Sequence, residues 1–396
     1  MTSAAPGILV INAGSSSIKY AAYSADDAAE PQLLGKGMLE GIGTDPHFVG
    51  YDQDGVLLGD QHWPKDSAFG HEDGLRFLFD WFATAERDIR VAAAGHRVVH
   101  GGLLYSGPVR LDARVLADLV QFEPLAPLHQ PHNLLAIRAL AKMFPDLPQI
   151  ACFDTAFHRT QPEVAQIFAL PYRLSEQGIR RYGFHGLSYE YIARRMHEID
   201  PGARRVVVAH LGSGASMCAM LDGRSVESSM GFTAVDGLMM GTRTGALDPG
   251  VVLYLIQTLN WDGARIEKLL YKESGLLGVS GLSNDMRSLL ASQTPRAHQA
   301  VELFCYTIAK QLGALVATLG GIDALVFTAG IGERAAPIRA DVCRRSEWLG
   351  IRLDEEANAV NGPRISHTHS PVAVWVVPTD EEKMIAIHAH KVLATS

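Results

Sequence analysis

The strongest constraint on this chain of 396 residues is a pattern that occurs twice, about half a chain apart. Residues 7–23 read GILVINAGSSSIKYAAY, and residues 204–222 read RRVVVAHLGSGASMCAMLD. Each copy has an apolar run, a small turn rich in glycine and serine, and a second apolar run, which is typical of two strands joined by a turn. A third strand runs into a glycine turn at 324–334. We therefore predict a duplicated α/β domain with a site between its halves; chance recurrence of short hairpins is the alternative.

Helices alternate with strands between these copies, which favours the α/β class. Residues 111–122 carry apolar side chains at helical spacing. Segment 133–144 begins at Asn133, a good N-cap residue, and ends before a proline. The apolar segment 296–319 predicts a core or interface helix. Strands are predicted at 91–99, 149–153, 205–211, 324–329 and 372–377, and loops at 24–32, 62–73 and 361–371.

Composition excludes several classes of protein. With 47% apolar and 20% charged residues the chain is not disordered, and a net charge of −8 without a basic stripe argues against a nucleic-acid partner. The first residues lack the positive charge of an export signal, and we expect no membrane span. The cysteines lack metal spacing and predict a reducing cytoplasm, with Cys152 and Cys218 as buried thiols; the others are Cys305 and Cys343.

The glycine turns offer backbone N–H groups and hydroxyls to phosphate oxygens. Residues 12–19, NAGSSSIK, add an amide and a lysine. They are not a Walker A motif, because GxxxxGK[ST] is absent, and the DFG and HRD motifs of protein kinases are absent as well. Together, the turns favour binding of nucleotide phosphates over a purely structural role.

Two arginines stand among glycines and apolar residues, where a guanidinium needs an anionic partner. Arg97 lies in GHRVVHGG, and Arg243 lies in LMMGTRTGALDPG. An internal salt bridge is one interpretation. The other is that both arginines share one anionic substrate.

Three further residues are candidates for chemistry. Asp154 follows an apolar strand, where a carboxylate is costly unless paired; it could pair with an arginine, bind a metal through water, transfer a proton or cap a turn. His185 stands between aromatic and glycine residues, as a satisfied core histidine would. Glu381 lies at a strand-to-helix junction, where it could bind Mg²⁺ or complement a helix dipole, the role that we expect for Asp380 and Glu382.

The chain resembles the acetate kinases over residues 8–386. The resemblance rests on the following motifs, in this order: NAGSSSIK, GHRVVHGG, APLHQPHN, FDTAFH, YGFHGLS, HLGSGAS, SMGFT, GLMMGTRTG, FTAGIGE and PTDEE. It implies duplicated actin-like ATPase domains of the ribonuclease H-like fold, in two lobes with an active-site cleft between them. The first lobe would be 1–155, completed by the helix 382–396. The second, 156–381, would hold the nucleotide site and a dimer interface.

The resemblance implies Mg²⁺-dependent phosphoryl transfer between ATP and acetate, giving acetyl phosphate and ADP, in a cytoplasmic homodimer without nucleic-acid or membrane partners. Mn²⁺ is the alternative ion. The implied catalytic residues are Asp154, His185 and Arg243, and the implied metal ligands are Asn12 and Glu381. Acetate would be bound by Arg97, Val99, Leu128 and Phe184. The nucleotide would contact Lys19, His210, Leu211, Gly212, Ser213, Gly214, Asp285, Met286, Arg287, Gly330, Ile331, Gly332, Glu333 and Arg334.

Four positions depart from the family pattern. Ser213 replaces an asparagine, Ala234 a proline, Arg334 an asparagine and Asp380 an asparagine. None of these removes a charge from the implied chemistry. Nucleotide preference and acyl-chain length stay open, so a propionate or butyrate kinase is an alternative, as is a non-enzymatic ATP-binding module related to the 70-kDa chaperones.

Overall fold

The computed structural model of the chain describes residues 5–14, 16–26, 30–65, 68–83, 89–127 and 129–395. Two residues of the motifs above, Ser15 and Leu128, therefore lie outside the described residues. The chain divides into two compact units. Unit 1 comprises Met1–Ala156 and Asp380–Ser396, and unit 2 comprises Phe157–Thr379.

Unit 1 is built on one mixed sheet with the strand order β5-β4-β3-β2-β1-β6-β8-β7. Its hydrophobic core, which includes several aromatic side chains, lies between this sheet and helices α1 and α3. Helix α15 packs against β1 and β6. The elements are β1 (Ala5–Ala13), β2 (Ser17–Ser24), β3 (Leu33–Glu40), β4 (His47–Asp52), β5 (Leu57–His62), α1 (His71–Phe82), β6 (Ile89–Val98), β7 (Val109–Arg110), α2 (Ala113–Val120), α3 (Gln130–Met143), β8 (Gln149–Phe153) and α15 (Glu381–Ala394).

Unit 2 is built on a sheet with the strand order β11-β10-β9-β12-β13. Its elements are α4 (Glu163–Gln166), α5 (Tyr172–Glu176), α6 (Gly186–Ile199), β9 (Arg205–Leu211), β10 (Ala215–Leu221), β11 (Arg224–Ser228), α7 (Pro249–Gln257), α8 (Gly263–Lys272), α9 (Gly275–Ser280), α10 (Met286–Ala291), α11 (Pro295–Leu319), β12 (Ala324–Thr328), α12 (Ala329–Arg334), α13 (Ala336–Arg345), α14 (Glu355–Ala359) and β13 (Ala373–Val376). Short 3₁₀ helices lie at Glu123–Leu125, Ala156–Thr160 and Glu347–Leu349.

Helix α11 is long and apolar enough to cross a membrane, by length and composition alone. Its buried side chains, Phe304 and Leu312 among them, pack against β9, β10 and β11 and against α9 and α13. A helix in the core of a globular unit passes the same test, and α11 is such a helix. Of the two predicted roles for 296–319, a core helix or an interface helix, these contacts support the core helix.

The two units share one strand arrangement, which confirms the predicted duplication. In unit 1, β2 is antiparallel to both β1 and β3, while β6 is parallel to β1 and to β8. In unit 2, β10 is antiparallel to both β9 and β11, while β12 is parallel to β9 and to β13. The order β3-β2-β1-β6-β8 thus repeats as β11-β10-β9-β12-β13 with every direction preserved.

The predicted N-cap at Asn133 is wrong. Helix α3 begins one turn earlier, at Gln130, because Pro131 is well suited to the first helical turn. Asn133 is buried instead, where its side-chain amide donates to Ala13 O at 3.0 Å and its oxygen accepts from Val99 N at 3.2 Å. The amide thereby ties the end of β1 to the residue that follows β6.

Candidate active site

The candidate site of unit 1 lies where its parallel strands end. Arg97 is the penultimate residue of β6, opposite Cys152 of β8, and Asp154 directly follows β8. The N–H of Asp154 donates to Val98 O at 3.1 Å, which fixes the backbone at that point. Parallel strands deliver the residues after their carboxyl ends to one edge of a sheet, the usual place for a ligand site in α/β proteins.

Arg97 is held there by two carboxylates. Its Nη2 lies 2.7 Å from Asp154 Oδ2, and its Nε lies 3.2 Å from Asp154 Oδ1 and 3.6 Å from Glu381 Oε2. The Asp154 side chain is 2% exposed and that of Arg97 is 21% exposed. Burial alone would lower the pKa of Arg97, but the charges of Asp154 and then Glu381 outweigh burial and raise it above its ordinary value. The guanidinium is therefore permanently charged, and Asp154 pairs with an arginine, the first of the alternatives above.

A glycine brings Glu381 to this arginine. Gly95 on β6 faces α15, where an added Cβ would lie 2.6 Å from Ile385 Cγ2. A side chain at position 95 would therefore clash with Ile385, so either that side chain or the helix, whose first residue is Glu381, would have to shift. Asp380 caps α15, since its carboxylate accepts from Lys383 N at 2.8 Å, which is the structural role that we expected for it.

The first glycine turn joins β1 to β2. Asn12 and Lys19 are partners across this hairpin, and Gly14 N donates to Ser17 O at 2.8 Å. Asn12 is half-buried and the Lys19 side chain is exposed. The lysine is thus available to an anion at the turn.

The second glycine turn joins β9 to β10 in unit 2. Gly212 N donates to Gly214 O at 3.0 Å, and Gly241 N donates to Ser213 O at 3.2 Å. Ser213 is exposed at the tip, whereas His210 and Leu211 are buried at the end of β9. The segment that carries Arg243 therefore stabilises this turn through a backbone hydrogen bond.

His185 is held in an unusual backbone conformation at the start of α6, with φ of 58°. A non-glycine residue in this left-handed region costs about 1 kcal/mol or more, and such strain is concentrated at functional sites. Its Nδ1 lies 2.8 Å from Ser216 Oγ, and its ring stacks on that of His210 at 4.2 Å between centroids. Tyr189 OH also bonds Ser216 Oγ, at 2.5 Å. These contacts fix the ring with Nε2 on the opposite side from Ser216.

His185 and Arg243 meet beside the turn. A Cβ built on Gly214 would lie 3.4 Å from both His185 Nε2 and Arg243 Nη2, so the two nitrogens border the same space. Arg243 Nη1 donates to Ala234 O at 2.7 Å, which orients the guanidinium. Unit 2 therefore presents two nitrogen donors, one of them permanently charged, next to a glycine turn.

The residues implied for the nucleoside differ in how far they are exposed. Asp285 caps α10 and pairs with the largely exposed Arg287, while Met286 is 3% exposed and packs in the core. Gly330 faces open space, because a Cβ there would meet nothing within 4 Å. Ile331, Glu333 and Arg334 follow in α12, and Glu333 Oε1 accepts from Thr379 N at 3.2 Å.

Both described residues of the implied methyl pocket are buried. Val99 is 6% exposed and Phe184 is 2% exposed, while Leu128 lies outside the described residues. The Phe184 carbonyl lies 2.9 Å from His158 Nε2, and burial lowers the pKa of His158 to about 4. His158 is therefore the neutral histidine that supports this segment.

Two positioning groups were not predicted from the sequence. Asn133, described above, links two strand ends in unit 1. In unit 2, Arg339 is fully buried, donates to Gly332 O at 2.9 Å and to Asn358 Oδ1 at 2.8 Å, and burial lowers its pKa. The APLHQPHN motif that contains Asn133 was a usable signal, whereas Arg339 looks like any arginine of an amphipathic helix.

Comparison with known proteins identifies the family of the chain. The profile of the acetokinase family matches residues 7–387. An acetate kinase of Rhodopseudomonas palustris (strain ATCC BAA-98 / CGA009) is 56% identical over 387 residues, covering 96% of this chain and 97% of that protein. A propionate kinase from Francisella tularensis is similar in structure with a TM-score of 0.89 and 37% identity, covering 97% of this chain and 98% of that one. The Porphyromonas gingivalis acetate kinase is similar in structure with a TM-score of 0.87 and 38% identity, covering 98% of this chain and 100% of that one.

Similarity of this extent places the chain among the kinases that phosphorylate a carboxylate group. The chain belongs to the acetokinase family, and its activity is that of an acetate kinase. The predicted family, the duplicated α/β fold and the enzyme class are thereby confirmed.

Proposed function

We propose that the chain transfers the γ-phosphoryl group of ATP directly to an oxygen of acetate, reversibly and with Mg²⁺, without a phosphorylated enzyme intermediate. The observation that carries this assignment is Arg97 at a strand end, charged and held rigid by Asp154 and Glu381. A fixed guanidinium fork is the side chain best suited to a small carboxylate.

Arg97 binds the acceptor. Its pairing with Asp154 uses Nε and Nη2, so Nη1 is the nitrogen that remains to donate to the acetate carboxylate. Val99 of unit 1 and Phe184 of unit 2 are the described residues that we assign to the methyl group, and Leu128, assigned with them, lies outside the described residues. Holding the acceptor in one orientation lowers the barrier because in-line attack on phosphorus needs aligned atoms.

Asp154 acts as a positioning residue for Arg97. Acetate resembles a side-chain carboxyl group, whose pKa is roughly 4, so it is already ionised at neutral pH. It therefore needs no general base to act as the acceptor. The Asp154 carboxylate is engaged by the guanidinium. Its contribution is therefore the orientation and charge state of Arg97.

His185 and Arg243 stabilise the transferring phosphoryl group. Charge is spread over three equatorial oxygens in such a transition state, and fixed donors that face them lower its energy. His185 Nε2 and Arg243 Nη2 both border the space beside Gly214, and we assign these two nitrogens to the phosphoryl oxygens.

Asn12 and Glu381 would hold Mg²⁺. The residues fit the ion, since they offer hard oxygen ligands and since two carboxylates against one guanidinium leave unit 1 with a surplus negative charge at this point. When bound, Mg²⁺ would neutralise charge on the phosphate oxygens of ATP. Mn²⁺, with a similar preference for oxygen ligands, would serve as well.

The glycine turns bind the nucleotide. Lys19 and residues 210–214 contact phosphate groups through the ammonium and backbone N–H groups. Residues 330–334 and 285–287 flank the nucleoside, where Gly330 leaves open space for it. In this assignment Met286 contributes backbone only, because its side chain is buried.

The test is formation of acyl phosphate, trapped with hydroxylamine, from ATP and a series of acetate, propionate and butyrate, with Mg²⁺ or with EDTA. We expect acetyl phosphate to form with Mg²⁺ and not with EDTA, and radiolabelled ATP to leave no label on the protein. Failure to form any acyl phosphate would contradict the assignment and favour a non-enzymatic ATP-binding module. A covalent label on the chain would contradict direct transfer alone.

Propionate is a second candidate acceptor. The Francisella tularensis structure similar to this chain is titled a propionate kinase, and Ala234 stands where family members carry proline. An extra methylene changes binding in an apolar pocket by only ~1–3 kcal/mol. We therefore expect propionate to be accepted and butyrate to be poor in the same series.

A second copy of the chain is the expected partner. Helix α7 exposes an apolar surface in which Leu253 is 52% and Tyr254 is 55% exposed, with Val251 and Ile256 beside them. Exposed apolar patches of this kind mark protein interfaces. Light scattering should give the mass of a dimer, and Leu253→Asp should shift it toward the monomer. The buried thiols of Cys218, Cys305 and Cys343 agree with a reducing, cytoplasmic location.

A further inference from the structure

A row of polar side chains crosses three neighbouring strands near the edge of the unit 1 sheet, and none of these side chains has been assigned to catalysis. Glu40 of β3 is the register partner of His47 of β4, and His47 is the register partner of His62 of β5. Asp60 precedes His62 by two residues and so lies on the same face of the sheet. Two imidazoles and two carboxylates are thereby collected on one surface.

The two histidines and Asp60 converge on one point. His47 Nε2 lies 2.9 Å from Asp60 Oδ1, and His62 Nε2 lies 3.6 Å from the same oxygen. The imidazole rings stack nearly parallel, at 3.8 Å between centroids and 6° between planes. Ligand atoms of the three side chains all lie within 4.8 Å of one another.

These separations match the spacing of metal ligands. Bonds from zinc to histidine nitrogen or carboxylate oxygen are about 2.0–2.1 Å, so neighbouring ligands of a tetrahedral ion lie about 3.3 Å apart. The observed 2.9 Å and 3.6 Å lie on either side of that value. Because the stacked rings are nearly parallel, an ion in the plane of both imidazoles requires the two rings to turn toward each other, with Asp60 beside both.

Glu40 occupies the position of an orienting carboxylate. Its Oε1 lies 3.8 Å from His47 Nδ1, the ring nitrogen on the other side from Asp60. Histidines that bind metals usually donate their second N–H to such a group, which fixes the ring and its tautomer. Glu40, His47 and His62 also line a hollow of about 480 Å³, so water can complete the coordination.

We propose that His47, Asp60 and His62 form a binding site for one divalent ion of the zinc class, oriented by Glu40. Imidazole nitrogen selects transition metals, whereas Mg²⁺ prefers oxygen ligands alone, so this site is distinct from that of the catalytic ion. The ion would fasten β5, whose residues are almost all exposed, to β4. It would also hold the hairpin beside Ser16 and Ser17, which line the same hollow.

The test is zinc binding to tag-free, metal-depleted protein in excess Mg²⁺ at neutral pH, followed by calorimetry and by competition with a chromophoric chelator. We expect one Zn²⁺ per chain. Loss of the orienting carboxylate in Glu40→Gln should weaken zinc binding about 10–100-fold. Loss of a ligand, in His47→Gln, His62→Gln or Asp60→Asn, should weaken it by at least as much. His369→Gln is the matched control, because it removes an exposed histidine of unit 2 and should leave the affinity unchanged.

A thermal scan supplies an independent readout. Zn²⁺ should raise the Tm of the unaltered protein and of His369→Gln, and should leave the Tm of His62→Gln unchanged, because only a ligand bound to the folded state stabilises it. Absence of saturable zinc binding would overturn the proposal. So would binding that persists at full affinity in both His47→Gln and His62→Gln.

Discussion

The guanidinium of Arg97 and the carboxylate of Asp154 form a partly buried ion pair, with 2.7 Å between Nη2 and Oδ2 and 3.2 Å between Nε and Oδ1. The pair has a consequence for catalysis, because a carboxylate engaged in this way is a poor proton acceptor. Its partner keeps its charge at every accessible pH. Asp154 and Arg97 therefore act as one unit that presents a fixed positive charge.

Asp154→Asn tests this assignment. Asparagine keeps the shape of the side chain but loses the charge that orients Arg97, so we expect kcat to fall about a hundredfold, which is ~3 kcal/mol in the barrier. The pH optimum should not shift, because a positioning group does not titrate during the reaction. Asp118→Asn, which removes a carboxylate bonded to Tyr105 in the same unit, is the matched control. A limb of the pH–rate profile near neutrality that vanishes in Asp154→Asn would show that Asp154 is a base.

Gly214→Ala probes the space that His185 and Arg243 share. The new methyl group would be in van der Waals contact with both donor nitrogens, at 3.4 Å, and would occupy the place where phosphoryl oxygens are expected. We expect kcat to fall by about tenfold or more, or ~1.4 kcal/mol, with the fold unchanged. Gly263→Ala is the control, since a Cβ there meets nothing within 4 Å. Full activity in Gly214→Ala would exclude a phosphoryl group from this space.

Ala234→Pro tests the choice of acyl chain. The Ala234 carbonyl accepts from Arg243, and proline retains that carbonyl, so the arginine should stay in place. The added ring carbons narrow the space for a longer acyl chain, and one buried methylene accounts for up to ~0.8 kcal/mol, close to fourfold in binding. We expect the ratio of kcat/KM for propionate to that for acetate to fall. An unchanged or higher ratio would show that residue 234 does not control chain length.

Much of the fold follows from local patterns, and the exceptions have physical causes. The repeated strand–turn–strand pattern predicted the duplication because buried strands are continuous apolar runs. No strand was predicted for β3, β4 or β5, since these strands contain glycines and lack a continuous apolar run, and β5 is almost entirely exposed. The loop predicted over 62–73 ends early, because α1 begins at His71.

The candidate site was predictable where its residues break local rules. A buried arginine or aspartate among apolar neighbours is noticeable in a sequence, and Arg97 and Asp154 are of this kind. The pairing between them was left open, because it depends on the parallel register of β6 and β8. His47 and His62 escaped notice for the same reason, since only the pairing of β4 with β5 brings them together.

Acid should destabilise the fold through buried histidines. Burial lowers the pKa values of His96, His100 and His158 to about 4, so the folded chain binds fewer protons than the unfolded chain, in which a histidine has a pKa near 6.5. The folded state is therefore most stable above pH 6.5, where these histidines are neutral in both states. Its free energy of unfolding decreases as the pH falls toward 4, because the unfolded chain then takes up protons. Between pH 6.5 and 5 each histidine should cost roughly 2 kcal/mol of unfolding free energy.

Urea denaturation at pH 7 and pH 5 measures this loss. His96→Gln should reduce the difference between the two midpoints, and His298→Gln, which removes an exposed histidine, should not. Equal pH dependence in His96→Gln and the unaltered protein would contradict the assigned origin of the acid sensitivity.

The central claim is that Arg97 binds the acceptor carboxylate, and the most direct test is kcat/KM for acetate in Arg97→Ala. Arg110→Ala, which removes an exposed arginine of the same unit, is the control. Loss of a charge-assisted contact that strengthens in the transition state should lower kcat/KM by about a hundredfold, or ~3 kcal/mol, while the KM for ATP and the fold stay unchanged. Near-normal kcat/KM for acetate in folded Arg97→Ala would contradict the account.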